Sequence, residues 1–422
     1  MFLKTLTYFL QNYGIHALRI LKTSLKIPAL LFTSSGIIHI RRNSETVSHE
    51  RINMDISVIV AFDNNEPLME NFVDQFMPFV EGRKDREMVC TADKCRNIET
   101  IEFARACAEK WPNFRLIELD EKAGYSKANN IAAAEAEGEY LLFANTDIFP
   151  EPGAIEILRN AFMEDAFDEE KDKPLGAVQG RLLYPQNGKV MSTGHCFVEY
   201  TNHHLYQGRA GDDPVVMVPG ERQALNSAFL MMPAKVYAEM GGMDEFFYNA
   251  YDGMDLTLRT GMAGYRLMYL PEALAWHSTG GSRDYIRHNN EYQSKYFYAH
   301  TGRDIKTDVP DYLAAQLDQI ELSEEYFPID CTFNMTWRDM IRELGINACP
   351  GFAVEERDSS RVDMYRNIPV AIKHEERPLL FIANHFADVT ANARWFAERG
   401  NPDDLIIDFF GNAFTLGQLG LS

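Results

Sequence analysis

The sequence has no apolar run long enough to cross a membrane. The longest run without charged residues near the N-terminus, Ile27 to Ile40, spans 14 residues and is interrupted by Thr33, Ser34, Ser35 and Gly36. A spanning helix needs about 20 consecutive apolar residues. We therefore expect no transmembrane helix.

Cysteine is also scarce, with 6 residues in a chain of 422. Cys90 and Cys95 are five positions apart, and no pair of histidines lies near them in the sequence. This pattern predicts free thiols in a reducing compartment, which favours a cytoplasmic location over a disulfide-built secreted domain. At this length we expect two or three domains.

Two phosphate-binding signatures are missing. No G-x-G-x-x-G follows the first predicted strand, and no G-x-x-x-x-G-K-[ST] occurs anywhere in the chain. Each of these motifs cradles phosphates with backbone N–H groups. Their absence excludes the usual dinucleotide-binding and P-loop sites.

Charge is unevenly distributed along the chain. The net charge is −21, which argues against a general nucleic-acid binder, and we expect no nucleic-acid partner. Residues 1–44 contain no acid and six basic residues, so this segment carries +6 and the remainder −21 − 6 = −27. Its leucines recur at roughly helical spacing, so residues 1–50 are predicted to form a basic, amphipathic helical segment suited to an anionic membrane surface. A helix packed on the next domain and a targeting segment remain open alternatives.

From Asp55 onward, strands and helices alternate. The predicted elements are a strand at 56–62, a helix at 68–80, a strand at 87–91, a helix at 98–110, a strand at 114–119, a helix at 126–136 and a strand at 140–144. Such an order predicts an α/β fold with a Rossmann-like, mostly parallel central sheet and flanking helices.

Polar residues follow three of these predicted strands: Asp63, Asp93, and the run Asn145-Thr146-Asp147. Ligands of open α/β sheets bind outside the carboxyl ends of the strands. An Asp at such an end is placed to hold a hard cation through oxygen. An ordinary loop acid is the alternative interpretation.

A second informative stretch runs from Asn226 to Arg283. It contains Gly241-Gly242-Met243-Asp244-Glu245-Phe246-Phe247-Tyr248 and then a predicted helix that opens with Asp252-Gly253-Met254-Asp255. A strand at 266–270, a break at Pro271 and a further short strand ending at His277 follow. Acids at the start of a helix are favoured by the helix dipole.

Three segments together resemble the inverting GT-A glycosyltransferases of family 2, of the kind that transfers rhamnose or galactofuranose. Residues 124–130, Gly-Tyr-Ser-Lys-Ala-Asn-Asn, resemble the signature G-[FY]-x-x-A-x-N. Residues 140–147 resemble the strand that ends in D-x-D or N-x-D, and residues 241–277 resemble G-G-[FM]-D-E-x-F-F…E-D-x-D-L…R…G-Y…P…H. The resemblance covers about 55–300 and implies a GT-A domain at 51–302, after the segment 1–50 and before a C-terminal extension at 303–422.

The resemblance implies a role for each matching residue. Asp147 and His277 would hold a divalent metal, Mn²⁺ or Mg²⁺, and oxygen ligation with one imidazole fits Mn²⁺ slightly better. Asn145 stands where the family usually has the first Asp of D-x-D, and keeps an oxygen ligand but loses a charge. The residues implied to contact the nucleotide donor are Asp63, Asp93, Lys127, Asn130 and Asn145.

The general base is the main departure from the family pattern. Gly253 falls where the second acid of E-D-x-D is expected, so the base would be Asp252, Asp255 or an acid from elsewhere. A base must lie within hydrogen-bonding reach of the acceptor hydroxyl. The alternative is a catalytically impaired GT-A protein that acts as a glycan-binding module.

The implied activity is metal-dependent, inverting transfer of a sugar from a nucleotide-sugar donor to a hydroxyl of a glycan or lipid-linked glycan. A processive synthase is disfavoured because Q-x-x-R-W is absent: Arg394-Trp395 has Ala391 where Gln is needed. A sugar nucleotidyltransferase would need a Gly-rich basic loop after the first strand, where this chain has acidic and amide residues. The expected location is cytoplasmic, with a peripheral membrane contact through the basic segment.

The C-terminal extension lies outside the resemblance. A helix is predicted at 311–322, followed by an irregular acidic region through Asn367 and a strand-helix-strand unit at 378–409. Such a unit needs partners to cover its faces. It would either complete a small domain or begin one.

Overall fold

The computed structural model describes residues 54–64, 66–165, 172–198, 201–278, 290–320, 326–331, 374–387 and 393–421. The predicted basic segment 1–50 and most of the acidic region before 374 lie outside these residues. The described residues all belong to one compact unit, 52–422. No helix within the described ranges is both long and apolar enough to cross a membrane.

The first half of the fold confirms the predicted alternation of strands and helices. In chain order its elements are β1 (Ile56–Phe62), α1 (Glu66–Val80), β2 (Arg86–Ala92), α2 (Ile98–Lys110), β3 (Phe114–Glu118), α3 (Tyr125–Glu135) and β4 (Tyr140–Ala144). β1 pairs in parallel with β2 and with β4, and β2 pairs in parallel with β3. The predicted parallel sheet is therefore present, with all carboxyl ends at one edge.

The second half extends this sheet with both parallel and antiparallel pairs. Its elements are β5 (Ile148–Pro150), α4 (Ala154–Asp165), β6 (Leu175–Leu183), β7 (Val190–Ser192), β8 (His195–Val198), β9 (Thr201–His204), β10 (Gly220–Glu221), β11 (Phe229–Pro233), α5 (Ala234–Glu239), α6 (Asp252–Met262), β12 (Arg266–His277) and α7 (Asn290–His300). The main strand order is β10-β12-β6-β11-β4-β1-β2-β3, with β5 on β12 and β7 on β6.

One predicted boundary was wrong. Pro271 does not divide the last stretch into two strands, because β12 runs without interruption from Arg266 to His277. Its pairing with β6 shifts register between Leu270 and Leu274. Proline lacks a backbone N–H and is tolerated at such an irregularity. The proline therefore marks a bulge within a strand that leads directly to His277.

The core lies on both faces of the sheet. Val58 and Val60 of β1 pack into a cluster with the helix residue Phe72, whereas Ile59 points to the opposite cluster with Leu256 of α6. Burial of alternate residues on both faces explains why the strands are apolar throughout. Burial of each such side chain contributes about 1.5–3 kcal/mol.

The C-terminal part forms a second sheet. After a 3₁₀ turn at Thr301–Asp304, its elements are α8 (Val309–Leu317), β13 (Phe327–Cys331), β14 (Leu379–Ala383), α9 (Ala393–Arg399), β15 (Leu405–Asp408) and β16 (Ala413–Thr415). β13, β14 and β15 are parallel and β16 is antiparallel. The predicted strand-helix-strand unit is present, and the predicted helix at 311–322 corresponds to α8.

This second sheet shares a core with the first part of the chain. Leu380 and Ile407 pack in the same cluster as Val198 and Leu205. The backbone N–H of Tyr206 donates to the carbonyl of Phe410 at 2.8 Å. The extension is thus packed on the region after β7, while the boundary proposed at residue 302 stays a prediction.

Candidate active site

Asp147 and His277 lie side by side although 130 positions separate them in the sequence. β5, which begins directly after Asp147, pairs antiparallel with β12 so that His277 faces Ile148. The backbone N–H of Ser278 also donates to the carbonyl of Asp147 at 3.0 Å. As a result, His277 Nε2 lies 3.2 Å from Asp147 Oδ1. The sheet brings these two predicted metal ligands together.

The surroundings of this pair fit a divalent cation. His277 is 3% exposed, and its Nδ1 atom is buried without a hydrogen-bond partner in the structure. Carboxylate oxygen with imidazole nitrogen is a donor set that suits Mn²⁺. Within the described residues, no three His, Cys, Asp or Glu side chains are grouped to hold a metal. A cation here would need further ligands, such as phosphate oxygens, carbonyls, amides or water.

Asn145 lies at the end of β4, two residues before Asp147. Its Oδ1 accepts a hydrogen bond from the Tyr125 hydroxyl at 2.9 Å. Its backbone N–H donates to the carbonyl of Ala228 at 3.1 Å. Tyr125 belongs to the signature at 124–130, but the sequence analysis assigned it no role.

Both carboxylate oxygens of Asp93 accept hydrogen bonds from backbone N–H groups of the loop before α3. Oδ1 accepts from the Ala123 N–H at 2.6 Å, and Oδ2 accepts from the Gly124 N–H at 3.0 Å. Asp93 is also nearly fully buried. These contacts make Asp93 the residue that fixes the loop before α3, and its contact with the donor stays a prediction.

Lys122 is a further charged residue at this edge of the sheet, and the sequence analysis missed it. Its ammonium forms ion pairs with Asp63 and, at 3.2 Å, with Asp93. Burial opposes the charged form of Lys122, but the hydrogen bond that Lys122 donates to Asp63 and the charge of Asp93 outweigh this effect, so the pKa of Lys122 is raised. In the sequence, Lys122 follows two acids and resembles an ordinary solvated charge cluster.

The predicted donor residue Asn130 likewise contacts the chain. Its Nδ2 donates to the carbonyl of Met243 at 2.9 Å, and its Oδ1 accepts from the Met243 N–H at 2.9 Å and from the Tyr237 hydroxyl. Its amide therefore fastens α3 to the turn at 241–243. Lys127, one turn earlier in α3, has an exposed side chain.

Gly124 allows the start of α3 to approach the aromatic loop at 246–248. A Cβ atom on Gly124 would lie 2.5 Å from the ring of Tyr248, and its φ is +84°. The Tyr125 N–H donates to the carbonyl of Tyr248 at 2.7 Å. The first and third of the segments compared above are therefore packed against each other.

The two candidate bases on α6 have different environments. Asp255 is 1% exposed, its Oδ2 pairs with Arg259 at 2.8 Å, and its Oδ1 accepts from the Thr301 hydroxyl. Asp252 is buried near the start of α6, and its Oδ1 accepts from the Ser227 hydroxyl at 2.8 Å. The carboxylate of Asp255 is therefore held in an ion pair, whereas the carboxylate of Asp252 accepts hydrogen bonds from uncharged donors.

The acidity of Asp252 reflects competing effects. Burial raises the pKa of its carboxyl, the hydrogen bonds from Ser227 and the Gly253 N–H oppose that rise, and the charge of Asp255 adds to it. Proton acceptors work best when their pKa is close to the working pH. A raised pKa therefore suits proton abstraction.

Close packing explains the glycine at position 253, and the sequence alone did not indicate this packing. A Cβ atom there would lie 2.4 Å from Ser227 Cβ and 2.7 Å from Ser227 N. Contacts below 3 Å require the neighbouring backbone to move, so no acid fits at position 253 in this arrangement. Close packing against Ser227 therefore accounts for the glycine.

The first part of this site lies in a region that is similar to known proteins. Residues 57–216 match the family described as Glycosyl transferase family 2. This match covers 160 of the 422 residues. The matched residues include Asp63, Asp93 and Asp147, whereas the candidate bases on α6 and His277 at the end of β12 lie after the match.

Curated relatives extend this similarity beyond the matched domain. An O-antigen biosynthesis protein, RfbC of Myxococcus xanthus, is 26% identical over 239 residues, which is 54% of this chain and 18% of the relative. An N-acetylglucosaminyl-diphospho-decaprenol L-rhamnosyltransferase of Mycobacterium tuberculosis is 25% identical over 204 residues, 43% of this chain and 64% of the relative. The chain thus spans less than two thirds of each of these proteins.

Solved structures give the same kind of match. A mannosyltransferase from Pyrobaculum calidifontis, in complex with GDP-Man and Mn²⁺, is 19% identical and aligns over 60% of this chain and 65% of that chain, with a TM-score of 0.42. The architecture described above is the predicted GT-A-like α/β fold: a largely parallel sheet between helices, with an N-x-D turn after β4.

Proposed function

We propose that this family 2 domain transfers a sugar from a nucleotide-sugar donor to a hydroxyl of a glycan or lipid-linked glycan, with inversion at the transferred sugar. The observation that carries the proposal is the pairing of Asp147 with His277 at 3.2 Å, at the carboxyl edge of the sheet. Lys122 and Asp63 lie at the same edge, where a nucleotide would bind. Asp252 supplies the proton acceptor.

The metal site follows from the same residues. Asp147 and His277, with the amide oxygen of Asn145 as a further candidate, would hold Mn²⁺ or Mg²⁺ against the donor's diphosphate. When bound, such an ion supplies Lewis-acid stabilisation of the departing nucleotide. His277 Nε2, 3.2 Å from Asp147 Oδ1, is the ring nitrogen placed to share a cation with that carboxylate, and oxygens of the donor would complete the coordination.

The acceptor's proton would go to Asp252. In a single displacement, the hydroxyl activated by the base attacks one face of the anomeric carbon while the nucleotide leaves from the opposite face. Such a step inverts the anomeric centre. Retention through a covalent intermediate would need a carboxylate free to act as nucleophile. Asp255, the neighbouring acid, is held by Arg259 and Thr301, and this supports inversion.

The acceptor class is proposed from the relatives' names, which refer to O-antigen biosynthesis and to a decaprenol-linked saccharide. We therefore propose a role in building a cell-envelope polysaccharide. The basic segment 1–44 would contact the anionic cytoplasmic surface of a membrane, where a lipid-linked acceptor would be presented.

The binding-module alternative is not favoured by any described contact. It depended on Gly253, and the packing of Ser227 accounts for that residue. The proposal is tested by incubating the purified protein with a panel of nucleotide sugars and Mn²⁺, and measuring release of the nucleoside diphosphate. Release from at least one donor is expected. Glycan binding without release from any donor would overturn the proposed function.

A further inference from the structure

A short segment, residues 225–228, joins the two sides of the proposed active site. On one side, the Leu225 N–H donates to Thr257 Oγ1 of α6 at 2.9 Å. On the other, the Ala228 carbonyl accepts from the Asn145 N–H at 3.1 Å. The segment is therefore tied both to the helix that carries Asp252 and to the strand end that leads to Asp147.

Ser227, in the middle of this segment, contacts the carboxylate of Asp252. Its hydroxyl donates to Asp252 Oδ1 at 2.8 Å, and the Gly253 N–H donates to the same oxygen at 2.7 Å. Two hydrogen bonds on one oxygen fix the rotation of the carboxylate. The other oxygen, Oδ2, is then the one that would take the acceptor's proton.

The contact requires glycine at position 253. Because Ser227 lies against the first turn of α6, any larger residue at 253 would meet its backbone nitrogen within 2.7 Å and its Cβ within 2.4 Å. Gly261, in the last turn of the same helix, is different: a Cβ there would touch only Leu267 Cδ1 at an ordinary 3.5 Å and Gln223 O at 4.0 Å. The glycine requirement is thus specific to the turn that meets Ser227.

We propose that Ser227 is a positioning residue for Asp252, and that Gly253 serves to admit it. The similar glycosyltransferases described above have an acid at the position of Gly253. In this chain the base would instead be Asp252, one residue earlier, held by Ser227 of the segment 225–228. This inference rests on the proposed function, in which Asp252 removes the proton from the acceptor.

The first test replaces the serine hydroxyl. Ser227→Ala should lower kcat for sugar transfer roughly tenfold to a hundredfold, the value of one hydrogen bond to a charged group, while donor affinity stays within a few-fold. Ser57→Ala is the control, because the hydroxyl of Ser57, a fully buried serine, likewise donates to a carboxylate, that of Glu87, at the opposite end of the sheet. It should leave kcat unchanged.

The second test asks whether Ser227 acts through Asp252. In an Asp252→Asn background, adding Ser227→Ala should cost little or nothing further, because the base is already gone. A residue with only a structural role would instead lower the activity by the same factor in both backgrounds. Such a constant factor would overturn the proposal.

The third test uses the two glycines. Gly253→Ala should lower transfer at least as much as Ser227→Ala, whereas Gly261→Ala should keep full activity and melt no lower than the wild type, because alanine favours a helix more than glycine does. Equal activity of the two alanine variants would contradict the account of Gly253. If the wild type releases nucleotide from no donor, both the proposed function and this inference fail. If the wild type is active and Ser227→Ala is equally active, only this inference fails.

Discussion

Replacing each of the two acids on α6 by asparagine should give opposite results. In Asp252→Asn the amide oxygen can still accept from Ser227 and from the Gly253 N–H, so the local structure is kept while the proton acceptor is lost. Removal of a general base typically lowers a rate by about 10²–10⁴-fold. We therefore expect transfer to fall by that factor, with nucleotide affinity within a few-fold of wild type.

Asp255→Asn should act on stability instead. Arg259 pairs with Asp255 and also donates to the carbonyls of Met240 and Gly242, at 2.6 and 2.9 Å. Breaking a buried ion pair on one side costs about 3–5 kcal/mol, and the lower end applies because Arg259 is partly exposed. The unfolding midpoint should fall clearly, whereas transfer at low temperature should fall much less than in Asp252→Asn.

Both variants are compared by nucleoside diphosphate release with acceptor present, by nucleotide binding and by thermal unfolding. A nearly wild-type Asp252→Asn together with an inactive, stably folded Asp255→Asn would refute the reasoning. The base would then be Asp255, released from Arg259 when substrate binds.

Three further predictions concern other parts of the molecule. Phe381 is buried in the core of the C-terminal sheet, so Phe381→Ala should lower the free energy of unfolding by about 3–5 kcal/mol, whereas Met262 on α6 is 56% exposed and Met262→Ala should lower it by less than about 1 kcal/mol. Equal losses of the two variants in chemical denaturation would contradict the described packing. Burial lowers the pKa of His195 and of His203 to about 4, so the unfolded chain takes up protons before the folded one and stability is lost as the pH falls from about 6.5 to 4. His203→Asn should weaken the dependence of the melting temperature on pH over that range, and an unchanged dependence would refute this prediction. Deleting residues 1–44 should release the protein from anionic vesicles, since each of its six basic residues contributes about 1 kcal/mol near such a surface, and equal binding at low salt with and without the segment would contradict the proposed membrane contact.

The parts of the site that could be predicted are those whose position depends on the order of strands. Asp147 follows a buried apolar strand and His277 ends another, and parallel and antiparallel pairing alone brings such ends together. The alternation of apolar strands and amphipathic helices fixed the sheet in the same way. Pro271 misled the prediction because a bulge and a strand end look alike in sequence.

The parts that could not be predicted depend on which partner a polar side chain finds. The sequence did not indicate that the carboxylate of Asp93 and the amide of Asn130, which are predicted to contact the nucleotide, also form hydrogen bonds within the chain. No sequence motif marked Lys122 or Ser227 as a site residue, because lysines on surfaces and serines in loops are common in all proteins. Such choices depend on contacts between residues that are distant in the sequence, and local periodicity carries no information about them.

The most direct test of the account is Mn²⁺-dependent binding of nucleoside diphosphate, measured by titration calorimetry on the wild type and on Asp147→Ala. The account predicts that the wild type binds the nucleotide tightly only with Mn²⁺ present, and that the variant, like the wild type in excess chelator, loses this metal-dependent part while keeping its melting temperature. Nucleotide binding by Asp147→Ala that matches the wild type and still responds to Mn²⁺ would contradict it.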